Sequence, residues 1–224
     1  MRLNRYIAQA GICSRRKADN LIARGSIKVN GKTVTSLGVE IDESKDLVEC
    51  DGKPIKPQER KIYLALNKPL GYISSSSSAQ GKSILDLISL RERVYPVGRL
   101  DKDSRGLILL TNDGEFAYNL TQAKFNHEKE YEVTLNRQLK PTDKKKLEED
   151  MVLGSEVVKG VKVGRIVGSR VNLTLHEGVN RQIRRMMEKI GYEVEDLRRV
   201  RVGKLNLGDL SEGKWKEIKL KDVI

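Results

Sequence analysis

Apolar positions recur at helical spacing from the first residues, where Leu3, Ile7 and Ala10 fall on one side and Gly11 supplies a stop. Ser14 is placed to cap a second helix whose apolar positions Ala18, Leu21 and Ile22 share a face, with Gly25 after it. Ile27 and Val29 then alternate with polar residues into Asn30-Gly31, a two-residue hairpin signal, and Val34 begins the return strand. The predicted unit is two helices and a hairpin. Beyond residue 62 the pattern changes to strand-like runs (IYLALN, LILLT, YEVTL, VNLTL) separated by turns and a few helical stretches. The clearest of these helices carries Ile183, Met186, Met187 and Ile190 as an apolar stripe. This order predicts a larger α+β domain built on a mainly antiparallel sheet. Between the two patterns, KPIKPQERK has two prolines, several charges and little apolar content, as an interdomain linker does. The expected division is residues 1–58, a linker at 59–62, and residues 63–224. No internal repeat is present, and the run Ser74 to Ser78 is expected to be a flexible surface loop.

Charge sharpens this picture. The 224 residues hold 43 Lys and Arg against 31 Asp and Glu, a net charge of +12, with 38% hydrophobic residues available for a core. Such a field concentrates polyanions, so nucleic acid or an anionic membrane is the first partner to weigh. Aromatic content of 4% argues against binding through stacked aromatic platforms. Residues 1–39 contain eight cations and the single acid Asp19. Arg15, Arg16 and Lys17 at the solvated start of the second helix, with Arg24 near its end, are placed to reach phosphates; merely solubilising faces usually mix signs. No apolar run approaches the ~20 residues needed to span a bilayer, and the N-terminus lacks the continuous apolar stretch of a secretory signal. A cytosolic protein without membrane contacts is expected. Cys13 and Cys50 form neither a C-x-x-C pair nor a zinc cluster and are expected to be reduced.

Candidate chemistry gathers in VGRLDKDSRGLILLTNDG, residues 97–114, where Asp101 stands between Arg99 and Lys102. Neighbouring cations favour an ionised carboxylate, which serves as a nucleophile, a general base or a turn residue; the residues leave these three open. A calcium loop fails here, because Arg105 would occupy a ligand position and Asn112 stands where a bidentate Glu is required. His127 and His176 each lack the second His of a zinc motif. With no P-loop and no dinucleotide fingerprint either, no metal, nucleotide or redox cofactor is expected. In HEKEYEVTL, strand alternation puts Lys129, Tyr131 and Val133 on one face and Glu128, Glu130 and Glu132 on the other, so Tyr131 is either an interior site residue or an ordinary strand tyrosine. Further on, Arg181, Arg184 and Arg185 crowd the first turns of the Met-rich helix. Cations there oppose the helix dipole, so a local anion is expected, either RNA phosphate or a carboxylate such as Asp101.

At these residues the chain resembles known families. RLNRYIAQAGICSRRKADNLIARGSIKVNGKTV is similar to the small RNA-binding module named after ribosomal small-subunit protein four, over residues 1 to 50. GRLDKDSRGLILLTNDG, HEKEYEV and EGVNRQIRRM, in that order, resemble the bacterial ribosomal RNA pseudouridine synthases of the small-subunit-synthase type, and NKPLGYISS and GDLSEGKWKEI match as well. The resemblance spans essentially the whole chain. It implies the pseudouridine synthase fold, a cofactor-independent monomer, and Asp101 as nucleophile, with Tyr131 packed on the target base and Arg184 paired with Asp101. It further implies RNA contacts by Arg2, Arg5, Arg15, Arg16, Lys17, Lys68, Arg99, Arg181 and Arg185. The implied reaction detaches uracil from its ribose, rotates it and rejoins it through carbon five, within ribosomal RNA or a pre-ribosomal particle. A base held in structured RNA must first be flipped out. RLDKDS followed by HEKEY is more like the branch acting on the large ribosomal subunit. The alternatives are the same reaction on small-subunit RNA, or a non-catalytic ribosome assembly factor.

Overall fold

The computed structural model describes residues 1–75, 81–122 and 125–224. Two units result, one built from residues 1–62 with 90–94 and 112–114, the other from the remainder of the described chain.

In the first unit, α1 (Leu3–Gln9) and α2 (Arg15–Ala23) pack beside a four-stranded antiparallel sheet of β1 (Ile27–Val29), β2 (Lys32–Val34), β3 (Val48–Cys50) and β4 (Lys53–Pro54), in the order β2-β1-β3-β4. The expected local signals operate here. Ser14 Oγ accepts from the Lys17 amide at 3.3 Å, and Asn30 and Gly31 both take the positive φ that a tight hairpin turn demands. Leu3, Tyr6 and Ile7 from α1 and Ala18 and Ile22 from α2 meet Ile27, Ile41, Val48 and Ile55 in one core. Arg2, Arg5, Arg15, Arg16 and Lys17 are all exposed. The linker reading of KPIKPQERK needs correction at its start. Lys53 and Pro54 pair with Cys50 and Glu49 in the sheet, and Ile55 is buried with its amide bonded to the Val48 carbonyl at 2.9 Å. One apolar side chain among charges is enough to draw the segment onto the core.

The second unit continues with β5 (Tyr63–Lys68), β6 (Tyr95–Val97), β7 (Arg105–Thr111), α3 (Gly114–Thr121), β8 (Lys129–Leu135), α4 (Pro141–Glu148), β9 (Met151–Leu153), β10 (Glu156–Val158), β11 (Lys162–Val167), β12 (Arg170–Leu175), α5 (Gln182–Lys189), β13 (Val194–Val202), β14 (Leu205–Asn206) and β15 (Trp215–Glu217). The main sheet runs β11-β12-β8-β13-β7-β5-β15, with β14 on β13 and β6 on β7. Every pairing is antiparallel except β13 with β7, as the mainly antiparallel expectation required. The stripe on α5 closes one face: Ile183, Met186 and Met187 are buried against Val133, Leu135, Leu173 and Leu197, each worth about 1.5–3 kcal/mol in area removed from water. Leu107, Leu109, Phe116, Leu120, Val202 and Leu205 form a second cluster.

The opposite face of β8 and β13 carries charge in register. Arg201 holds Glu128 at 2.8 Å and Glu130 at 3.0 Å, and Arg198 reaches Glu132 at 3.5 Å. This ladder explains how a strand as charged as β13 occupies the middle of a sheet. The serine-run expectation divides: Ser76 to Ser78 lie outside the described residues, whereas Ser74 is tied down, its Oγ donating to the Leu100 carbonyl at 2.7 Å and accepting from the Leu100 amide at 3.0 Å.

Candidate active site

Asp101 lies on the turn between β6 and β7. All five carbonyls from Leu100 to Ser104 are engaged: Leu100 by Ser74 Oγ at 2.7 Å, Asp101 by the Ser104 amide at 3.1 Å and Lys102 by the Gly71 amide at 2.9 Å, Asp103 by Arg184 Nη2 at 2.6 Å, and Ser104 by Lys68 Nζ at 2.5 Å. The turn is therefore fixed through its backbone, and the Asp101 side chain is left out of the fastening. Its carboxylate is a quarter exposed, and the cation nearest to it is Arg181, with Nη1 at 3.9 Å.

The turn forms one wall of a cavity of about 340 Å³, within the size range of small-molecule sites. Asp101, Arg99 and Leu100 contribute from the turn, Lys129 and Tyr131 from β8, Leu197, Arg199 and Val202 from β13, and Arg181, Gln182 and Ile183 from the start of α5. Asp101 and Tyr131 are thus brought to one cavity, with Tyr131 half-buried against the core.

The expected pairing of Arg184 with Asp101 is not what the structure shows. Arg184 donates to the carbonyls of Asp103 at 2.6 Å and Val194 at 2.8 Å, and its Nε stands 3.4 Å from the Asp103 carboxylate. The anion that compensates the crowded arginines is Asp103, two residues beyond the expected one, because Arg181 Nη1 also reaches both Asp103 oxygens at 3.0 Å. Burial pushes the Asp103 carboxyl up, but the Arg181 hydrogen bond and the charges of Arg184 and Arg181 outweigh it and hold the group below the usual carboxylate range. Arg185 is committed elsewhere, to Glu156 at 2.7 Å and the Leu153 carbonyl at 2.6 Å.

Lys68 corrects a second expectation. Its side chain is fully buried, so it does not meet RNA phosphate; it donates inward to Ser104 and, at 3.1 Å, to Pro69. Burial depresses its ammonium to about 8, against the pull of Asp101 and Asp103. Arg99 and Arg181 are exposed and line the cavity, and Arg181 is paired with Asp103 there.

Sequence reasoning missed Arg199, Lys129 and Gln182 as cavity residues. The alternation of β8 put Lys129 on Tyr131's face, but Arg199 lies in a charged stretch with no strand pattern to mark which side faces in. The two histidines flank strands, His127 two residues before β8 and His176 just after β12: Lys129 Nζ donates to their backbone carbonyls at 3.4 and 3.2 Å, and His176 Nδ1 lies 3.1 Å from the Asn126 carbonyl.

Known proteins match both parts of the chain. Residues 62–189 match the family model described as RNA pseudouridylate synthase, and residues 1–48 match the S4 domain. The chain is 41% identical to the ribosomal large subunit pseudouridine synthase B of Bacillus subtilis, covering 97% of this chain and 91% of that protein. It is 39% identical to the dual-specificity RNA pseudouridine synthase RluF of Escherichia coli K12, covering 97% and 75%. A solved pseudouridylate synthase crystal structure superposes with a TM-score of 0.73 at 30% identity, over 99% of this chain and 97% of that one.

Proposed function

The chain belongs to the RNA pseudouridylate synthase family, whose members are isomerases, and we propose that it converts a uridine of large-subunit ribosomal RNA to pseudouridine with Asp101 as the nucleophile. The observation that carries this reading is the Asp101 turn. A carboxylate free of hydrogen bonds among the described residues stands at a cavity mouth on a backbone whose five carbonyls are all occupied. Attack needs a carboxylate that is unencumbered and held in place.

Tyr131 lines the same cavity and offers its ring face to the flipped base. Arg184 acts as a positioning residue, locking the turn through the Asp103 carbonyl. The S4 domain carries Arg2, Arg5, Arg15, Arg16 and Lys17 as phosphate contacts, and Arg99 and Arg181 continue them at the cavity. Residues 1–58 and 63–224 serve as the binding and catalytic modules, joined at 59–62. No helix among the described residues is long and apolar enough to cross a membrane, and a cytosolic monomer acting on ribosomal RNA or pre-ribosomal particles fits these features. Large-subunit RNA is favoured because the Bacillus subtilis relative carries that target in its name.

Mapping pseudouridine in both ribosomal RNAs from cells with and without the gene tests the target. One large-subunit position losing its pseudouridine is the expected result; a loss confined to small-subunit RNA overturns the assignment.

A further inference from the structure

Arg199 has no role in the fastening of the Asp101 turn, yet it is buried in the wall of the same cavity. It is 5% exposed. Directly across from it are Tyr131 on β8 and Gly106 on β7, so its side chain shares the face that Tyr131 presents. Its Nε donates to the Leu107 carbonyl at 2.7 Å, and among the described residues no carboxylate pairs with it. Lys129, two residues before Tyr131 on the same face, is half-buried and also lacks a carboxylate; its two carbonyl bonds, at 3.2 and 3.4 Å, are long. Burial, and then the charge of Arg199, push the Lys129 ammonium below its ordinary value. Two cations lining one cavity, one buried and one half-buried, with no carboxylate paired to either among the described residues, carry a desolvation cost that a bound anion would offset.

The walls around them select the anion. Val97, Leu109, Leu120, Leu197 and Val202 line the same cavity, and apolar lining suits a flat base better than a phosphodiester that keeps its water. Exposed Arg99 and Arg181 are better placed for phosphates.

We propose that Arg199 and Lys129 form a cationic floor that takes up the negative charge developing on the uracil ring during isomerisation. The inference rests on the function proposed above. If the C1′–N1 bond breaks heterolytically, its electron pair stays with the ring, spread over N1, O2 and O4; if a carboxylate first adds to C6, the charge falls on C5 and O4. Either route builds charge on the ring oxygens. It is discharged when C5 bonds to C1′, and the proton that C5 gives up is matched by one gained at N1. Donors fixed at such oxygens act on the transition state more than on the bound uridine.

The test uses the full-length protein and an unmodified transcript of the organism's large-subunit ribosomal RNA carrying tritium at uridine C5. Single-turnover tritium release gives the chemical step and filter binding gives Kd. Arg199→Met is expected to slow release by about 100-fold or more with Kd within about threefold, and Arg199→Lys to recover most of the rate. Lys129→Met, which removes only two long carbonyl bonds, is expected to slow release about tenfold with unchanged Kd, and it decides the matter alone should Arg199→Met not fold. Rates within about threefold of wild type for the methionine variants, or a loss lying wholly in Kd, would overturn the proposal. Wild-type protein that releases no tritium would instead overturn the proposed function.

Discussion

Arg184 donates from Nη2 to the backbone carbonyl of Asp103 at 2.6 Å. Helix α5 is thereby fastened to the turn that presents Asp101 without touching the Asp101 carboxylate. The arginine orders the frame and leaves the reacting group free. Arg184→Ala strands two carbonyls, those of Asp103 and Val194. It is expected to lower stability by about 1–2 kcal/mol, because one lost bond is exposed and the other only partly buried, and urea unfolding checks this. Activity should fall in kcat, with RNA affinity little changed.

Gly106 sits where β7 and β13 run side by side. A Cβ there would stand 2.3 Å from the Arg199 carbonyl oxygen and 2.7 Å from its nitrogen, and φ is +102°. Gly106→Ala combines backbone strain with a clash against a central strand. It is expected to cost at least about 2 kcal/mol, read as a lower urea midpoint. Relief of the clash by moving β13 would displace Arg199 and slow turnover as well.

Lys68 makes stability depend on pH. Its folded value of about 8 lies below its ordinary 10.5, so below pH 8 it is charged in both states and the full burial penalty is felt. Between the two values the unfolded chain holds more protons, and stability rises with pH. Relative to Lys68→Met, the wild type should gain about 2 kcal/mol between pH 7 and pH 10, on the scale of 1.36 kcal/mol per pKa unit. Parallel unfolding curves at the two pH values check it; a constant difference between the proteins would contradict the buried-ammonium account.

The exposed start of α2 tests the RNA contacts. Arg15→Ala, Arg16→Ala and Lys17→Ala together should weaken RNA binding and reduce the slope of log K against log salt by up to about 2–3, as for loss of three phosphate contacts. All three side chains are solvated, so stability should change by less than about 0.5 kcal/mol for each. Filter binding across a salt series separates the outcomes.

Local features of this fold were legible in the chain, and long-range ones were not. Ser14, Asn30-Gly31 and the stripe of Ile183, Met186 and Met187 act through neighbours within a few positions, and each formed the element its spacing indicated. Strand β13 is hard to see in the sequence because Arg198 and Arg201 hide the alternation; Glu128 just before β8, and Glu130 and Glu132 on it, neutralise them, some seventy residues earlier. Asp101 and Tyr131 line one cavity, a placement that strand alternation alone leaves open for Tyr131. The resemblance pairs Arg184 with Asp101, whereas the structure pairs it with Asp103, two residues on; the crowding of cations on the helix calls for an anion without saying which turn carboxylate supplies it. Lys68 is expected as an RNA contact, and its burial, which rules that out, depends on the distant Ser104 carbonyl that receives it.

The claim at the centre of this account is that Asp101 performs the chemistry while other residues hold it and the RNA. Asp101→Asn keeps the shape of the side chain and removes its charge. Purified variant and wild-type protein, each incubated with unmodified large-subunit ribosomal RNA, should bind it with Kd values within about threefold of each other, since binding rests on the other residues. Sequencing-based pseudouridine mapping should then find the modified position with the wild type and none with the variant; pseudouridine formed by Asp101→Asn at the wild-type rate would contradict the account.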